Sequence, residues 1–349
     1  MAKESAGRKA EDSDEGPRVT SVGASSSMLN TGRSKGSRVA QGGDARPQAL
    51  RSPREESHVS QAGANASRTS ARADAPKGSV IVLVSGRGGV GKTALSAVMA
   101  YAAASWGMSV ALCDLDLSCG NLYHAFGLRG AVDLAGPLEN GWPGREEVLA
   151  LGEEAAPGIH LWGSCARPEM AETVTPHVAD LLSCLADSHD LLLVDTSTTF
   201  TDAVAQAAQA CDRLVLVVDG LPGSDVAQAR LGALAVRLGV ARTRVVRLAN
   251  RAGRRGREAP AVNHSEVGLE TARSLRVADG GSDVTQCLAE GKVEDLFALD
   301  SRFAGSASTA LAQLLAELGK LPEHPDAKRA LTRLAEKSRW SFGRRREAS

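Results

Sequence analysis

Aromatic residues are scarce in this 349-residue chain, at 3% of the total, and the first of them is Tyr101. No apolar run approaches the roughly 18 residues of a membrane-spanning helix. The amino-terminal MAKESAGRKAEDSDEG lacks the apolar stretch of a secretory signal. Neither sign of charge is in excess, with 41 Lys+Arg against 41 Asp+Glu, so no global positive field draws in nucleic acid. The six cysteines are scattered without a C-x-x-C pair, as expected of reduced thiols rather than of staples or a metal site. These absences argue against a secreted, membrane-spanning or disulfide-stapled protein, and the expected location is the cytoplasm.

Composition divides the chain. Residues 1–77 are Ser, Gly, Ala, Arg and acid with isolated Val and Leu. Such a segment cannot bury enough apolar surface to offset the roughly 1–2 kcal/mol per residue lost on ordering the backbone, so it reads as a disordered tail. Its basic residues are interleaved with acids, which suits a solvated tail better than a nucleic-acid arm. A folded domain is expected over 78–320, followed by a basic amphipathic tail over 321–349.

The run Ser79-Val-Ile-Val-Leu-Val-Ser85 is apolar and β-branched without alternation, as in a strand buried on both faces of a parallel sheet. Strands and helices then alternate. Strands are expected at 109–113, 159–163, 190–194, 213–218, 244–249 and 274–278. Helices are expected at 92–106, 176–187, 200–210, 224–238, 283–291 and 308–318. This spacing predicts right-handed βαβ units in a doubly wound, mostly parallel α/β sheet.

Between the first strand and the first helix lies Gly86-Arg87-Gly88-Gly89-Val90-Gly91-Lys92-Thr93, which fits G-x-x-x-x-G-K-[ST] in the context that motif requires. Glycines let the backbone wrap an anion, amides from Gly88 to Thr93 point inward, and the first turn of the helix, Lys92 to Ala94, adds partial positive charge. Lys92 supplies a compact cation and Thr93 a hard oxygen suited to Mg²⁺. The expected ligand is a nucleotide with Mg²⁺.

The pattern Gly-Arg-Gly-Gly-Val-Gly-Lys-Thr resembles the deviant Walker A motif of the ParA/MinD family of P-loop ATPases, with Arg87 in the place of its first Lys. The resemblance implies a SIMIBI-like P-loop NTPase whose homodimer is bridged by ATP, Arg87 reaching the partner's phosphates; an exposed loop cation is the other reading of Arg87. Asp114-Leu-Asp116 with Asn121 resembles the family's D-x-D segment, which implies that Asp116 positions the attacking water and that Asn121 assists. Leu191-Leu-Leu-Val-Asp195-Thr resembles a Walker B strand whose Asp holds Mg²⁺ through water, alongside Thr93. Asn250-Arg251 resembles the end of the strand whose Asn reads the adenine edge. Thr196-Ser197-Thr198-Thr199-Phe200 departs from the family's Pro-Pro-Gly switch, and together with Arg87 this predicts slow hydrolysis rather than lost binding. Within the family, Ser85–Thr93, Asp114-Leu-Asp-Leu followed by Gly-Asn-Leu, and Ala289–Asp295 look most like the CpaE/TadZ branch, which implies a partner in a pilus or secretion apparatus.

Two basic clusters remain. Arg251, Arg254, Arg255 and Arg257 suit a solvated loop near phosphates better than a DNA contact. Ala327, Ala330, Leu331, Leu334 and Ala335 share one helical face, and Trp340 and Phe342 precede Arg344–Arg346, so this end suits an anionic membrane surface or packing on the domain. A DNA-partitioning ATPase, a septum-positioning ATPase and a non-hydrolysing scaffold are the alternative functions, with DNA disfavoured by the neutral charge.

Overall fold

The computed structural model describes residues 77–253 and 273–333. Residues 1–76 of the expected tail 1–77, the cluster Arg254–Arg257 and the end of the chain from 334 lie outside the described residues. An eight-stranded sheet forms the centre: β1 Ser79–Val84, β2 Val110–Leu115, β3 Glu153–Ala156, β4 Ile159–Gly163, β5 Leu191–Thr196, β6 Arg213–Val218, β7 Val245–Ala252 and β8 Arg273–Ala278, in the order β3-β4-β2-β5-β1-β6-β7-β8. Every pairing is parallel except β3 with β4. The strand over 153–156 was not among those expected. Its Glu153 and Glu154 are exposed, and a four-residue acidic edge carries no apolar run to announce it.

The central strands are apolar without alternation because both faces are covered. One side chain of each pair, such as Ile81 and Leu83, packs beneath α1 Lys92–Ser105 and the carboxyl-terminal helix Arg302–Glu317. The alternate set, Val80, Val82 and Val84, packs beneath Val178–Ala186 and Asp202–Ala210. Between these helices in sequence lies Arg145–Ala150, and Ser224–Arg237 and Gly281–Ala289 follow; leaving aside the four-residue turns Ala171–Val174 and Asp295–Ala298, the helices are labelled in chain order α1, α2 Arg145–Ala150, α3 Val178–Ala186, α4 Asp202–Ala210, α5 Ser224–Arg237, α6 Gly281–Ala289 and α7 Arg302–Glu317. Thr201 caps α4 by accepting from the Val204 amide.

A further helical stretch over 325–333 falls within the expected tail. Ala327 is fully buried, Ala330 is buried, and Leu331 packs partly against the same core as α1 and α7. The apolar stripe read as suited to a membrane therefore faces the domain over its described part, because small alanines allow close approach to α7. Among the described residues no helix is long and apolar enough to cross a membrane. The six cysteines are unpaired.

Candidate functional site

All the parallel strands end at one side of the sheet, and the residues singled out in the sequence gather there. The loop Gly86–Gly91 leaves β1 and turns directly into α1. Gly91 caps that helix with φ 95°, in the left-handed region, and a Cβ there would stand 2.5 Å from Asn250 Nδ2. Gly89 also has positive φ, at 73°. Gly86 lies so close to Ala227 of α5 that a Cβ would be 2.6 Å from the Ala227 methyl. Glycine is required at these points by backbone geometry and by close packing, not by composition alone. Val90 is fully buried and anchors the loop in the core.

Lys92 is 8% exposed and its Nζ donates to Ser85 Oγ at 2.9 Å, while Ser85 donates to the Arg87 carbonyl at 2.8 Å. Burial holds the lysine below its usual pKa, opposed by the negative charges of Asp195 and Asp116. The Thr93 hydroxyl donates to Asp195 Oδ2 at 2.6 Å, joining the first turn of α1 to the end of β5. Asp195 Oδ1 is buried with no hydrogen-bond partner. A buried carboxylate oxygen left without a donor is costly unless a cation takes it up. A free oxygen beside the Thr93 hydroxyl suits Mg²⁺, a hard cation that keeps part of its water shell. Burial raises the pKa of Asp195, against the Thr93 hydrogen bond and the Lys92 charge.

Asp114, at the end of β2, is almost fully buried and its pKa is also raised, first by burial and then by Asp195. It accepts from the Asp116 amide at 3.0 Å and the Leu122 amide at 3.1 Å. Asp114 thus staples both ends of the loop that carries Asp116 and Asn121. Asp116 is half-buried and within electrostatic reach of Lys92, and Asn121 is exposed.

Asn250 is 4% exposed. Its Nδ2 donates to the Val90 carbonyl at 2.8 Å and its Oδ1 accepts from the Arg251 amide at 2.9 Å. The side chain expected to read a base also ties β7 to the phosphate loop. Asn250, Arg251, Asn121, Lys92, Thr93 and Ala94 line one cavity of about 560 Å³, closed on its far side by Asp279–Gly281, Val284, Leu288 and Phe303. Its polar end lies at the phosphate loop and its apolar end between α6 and α7, an arrangement that fits a nucleoside triphosphate.

Asp219 directly follows the strand expected at 213–218, and nothing in the sequence alone assigns it a role. It is 2% exposed and lies between two guanidinium groups, 3.7 Å from Arg87 Nη1 and 3.5 Å from Arg251 Nη1. The signal available was its place: Asp195, Asp219 and Asp279 each follow an apolar strand at the ligand-binding side of the sheet. The segment Thr196–Phe200, without the expected glycine, still reaches the loop, with Thr198 Oγ1 3.6 Å from the position of a Cβ on Gly88. Thr196 is buried and donates to the Leu83 carbonyl at 2.7 Å.

Strand order, loop and buried lysine define a P-loop nucleotide-binding domain of the doubly wound α/β class. Residues 81–331 match the model of the CobQ/CobB/MinD/ParA nucleotide binding domain, and the chain belongs to that family. It is 32% identical over 149 residues to the antiactivator FleN of Pseudomonas aeruginosa, covering 42% of this chain and 52% of FleN. It is 25% identical over 142 residues to the septum site-determining protein MinD of Bacillus subtilis, covering 40% of this chain and 53% of that one. The chain spans about half the length of the curated relatives it matches. Among solved structures, the cell division ATPase MinD of Pyrococcus furiosus superposes with a TM-score of 0.59 at 21% identity, over 69% of this chain and 99% of that one. MinD of Pyrococcus horikoshii, complexed with Mg-ADP, gives 0.57 at 17% identity, over 68% and 95%. These two structures bear out the predicted doubly wound fold.

Proposed function

We propose that the chain is an ATP-binding, slowly ATP-hydrolysing switch that dimerises around its nucleotide and localises a pilus or secretion machine at the inner face of the membrane or the cell pole. One observation carries the switch reading: the site joins an inner cation to an outer one. Lys92 is buried under the loop, whereas the Arg87 side chain stands at its mouth, 38% exposed and paired with Asp219. A cation enclosed under the loop can serve only its own site, while one at the rim is placed to meet a second molecule.

In this reading Thr93 and Asp195 hold the metal, the loop amides and Lys92 hold the phosphates, and Asp116 and Asn121 orient the water. Mg²⁺ would supply charge neutralisation on the phosphates when bound. Arg87 must leave Asp219 to reach a partner, and Arg251 then keeps that buried carboxylate paired. The names of the relatives support a positioning or controlling role over a metabolic one. The pilus assignment rests on the likeness of Ser85–Thr93, Asp114–Leu122 and Ala289–Asp295 to the CpaE/TadZ branch.

Light scattering with a non-hydrolysable ATP analogue tests the switch. The wild type is expected to shift to a dimer, and Arg87→Ala to stay monomeric while still binding nucleotide. An unchanged dimer fraction in Arg87→Ala would remove Arg87 from the interface. A turnover rate for Asp116→Ala equal to wild type would remove the hydrolytic assignment.

A further inference from the structure

Charge is unevenly placed along the chain despite its zero sum. Residues 133–180 hold nine acids against two arginines and no lysine. One of those arginines, Arg145, is turned to α3 and its end, donating to Ser188 Oγ at 2.8 Å and lying 3.6 Å from Asp187. Exposed Glu146 of α2 and exposed Glu153 and Glu154 of β3 make no ion pair among the described residues. In this acidic corner lies a second cavity, of about 360 Å³, lined by Pro137, Gly141, Trp142, Pro143, Glu147 and Leu151. It shares no residue with the nucleotide cavity. Its walls are fixed from beneath. Trp162 of β4 is buried, and its indole donates to the Val148 carbonyl at 2.8 Å, which pins α2 to the sheet. A Cβ on Gly152 would run into the same indole, so the chain leaving α2 is held equally close. Trp142 is half-buried and stacks on His177, with ring centroids 4.7 Å apart and planes 11° from parallel. Its indole N–H donates to no acceptor among the described residues.

We propose that this groove binds a proline-rich, arginine-flanked segment of a partner protein in the polyproline II conformation. An indole offers an apolar face with a polar donor at its edge. Proline rings pack on such a face, and the free N–H answers one of the carbonyls that polyproline II leaves without an internal partner. The exposed glutamates at the rim suit arginines on either side of the prolines. The same glutamates repel an anionic bilayer or a nucleic acid. At about 360 Å³ the cavity is at the small end of ligand pockets. It has room for a short extended stretch and not for the i, i+3, i+4, i+7 anchors of an amphipathic helix. Groove and polyproline segment are both formed before they meet, so little ordering opposes binding. The surface and its ligand stand apart from the nucleotide and from the phosphate loop.

Fluorescence anisotropy of a labelled synthetic peptide, Arg-Arg-Pro-Leu-Pro-Pro-Leu-Pro-Arg-Arg, tests this on the full chain without nucleotide. Saturable binding with a Kd of about 100 μM or tighter is expected. Trp142→Ala should weaken it at least about 10-fold, as loss of a central aromatic anchor does. Trp142→Phe keeps a ring on His177 but lacks the N–H, and should fall between the two. A triple variant, Glu146→Gln, Glu153→Gln and Glu154→Gln, should bind about threefold to 10-fold more weakly at low salt and respond less to added salt. Its side chains are exposed, so an unchanged thermal midpoint is expected and separates lost contact from lost folding. Glu147 is left in place because it accepts from the Gly144 amide at 3.0 Å and holds the start of α2. A peptide with alanine at every proline keeps the charge and should bind at least about 10-fold more weakly. Equal binding of that peptide would show charge alone at work and would overturn the proposal. So would wild type that shows no saturable binding, or Trp142→Ala that binds like wild type. Salt-sensitive self-association without peptide, abolished in the triple variant, would assign the corner to a second copy of the chain and also overturn it.

Discussion

Burial raises the proton affinity of both Asp114 and Asp195, with opposite consequences for folding and function. A carboxyl group whose pKa is higher in the folded chain than in the unfolded one contributes stability below pH 4. That contribution is lost as pH rises through the folded value, about 6 for Asp195 and about 8 for Asp114. The thermal midpoint of the nucleotide-free protein should therefore fall between pH 5 and pH 8. Asp195→Asn removes one of the two charges and should raise stability at pH 8 by about 2–3 kcal/mol, as a shift of roughly two pH units implies. The same variant should lose Mg²⁺-dependent nucleotide binding, since its remaining oxygen is taken by Thr93. Calorimetry at pH 5 and pH 8 checks the first expectation and titration checks the second. A midpoint for Asp195→Asn at pH 8 no higher than wild type would show that the buried charge is compensated in the empty protein.

At the scale of elements, the loop from Asp116 to Asn121 and the helical stretch over 325–333 are the two pieces whose roles can be separated. The loop is held from below by Asp114, and a Cβ on Gly120 would collide with the Asp114 carboxylate. Gly120→Ala should displace Asp116 without touching the phosphate loop. Turnover is expected to drop at least 10-fold, as a misplaced catalytic group costs, with nucleotide affinity changed less than about threefold. Equal losses in both would mean that the loop supports the cavity itself. The stretch 325–333 buries Ala327 and Ala330 against the domain. A chain ending at Arg333 should unfold like the full chain, whereas one ending at Lys320 should lose about 2 kcal/mol or more, from the buried methyl groups and part of Leu331. Thermal melts of the two truncations decide whether the folded domain ends near residue 320, as composition suggests, or beyond residue 330.

For the molecule as a whole, nucleotide is expected to act as a folding ligand. ATP with Mg²⁺ at about 100 times its Kd should stabilise the chain by about 2.7 kcal/mol. That is a rise of several degrees in thermal midpoint for a domain of this size. Lys92→Ala should abolish the rise. A rise that survives in Lys92→Ala would place the ligand outside the loop. The cavity that receives it is assembled from chain positions far apart: the loop at 89–94, Asn121, Asn250 and the segment 279–281. It therefore exists only once β7 and β8 have joined the sheet, and ligand-induced stability should extend to that edge.

Sequence by itself determined the phosphate loop, the Asp that ends β5, the alternation of strands and helices, and the doubly wound class. Each of these is written in short-range pattern: a glycine spacing, an unbroken apolar run, an acid where a strand stops. The Ser79–Val84 and Arg213–Val218 strands follow from such local signals. Tertiary structure alone decided which strands are neighbours, and with that which distant side chains meet. Asp219 holds Arg87 and Arg251 only because β6 lies between β1 and β7. Asn250 ties down Val90 across 160 positions of the chain. The acidic edge strand β3 has too few residues and too little apolar character to be read in advance. Net charge could not reveal where charge gathers either, because a sum over the chain carries no position: the arginines around β7 and β8 and the glutamates of β3 cancel in composition while they stand far apart across the sheet.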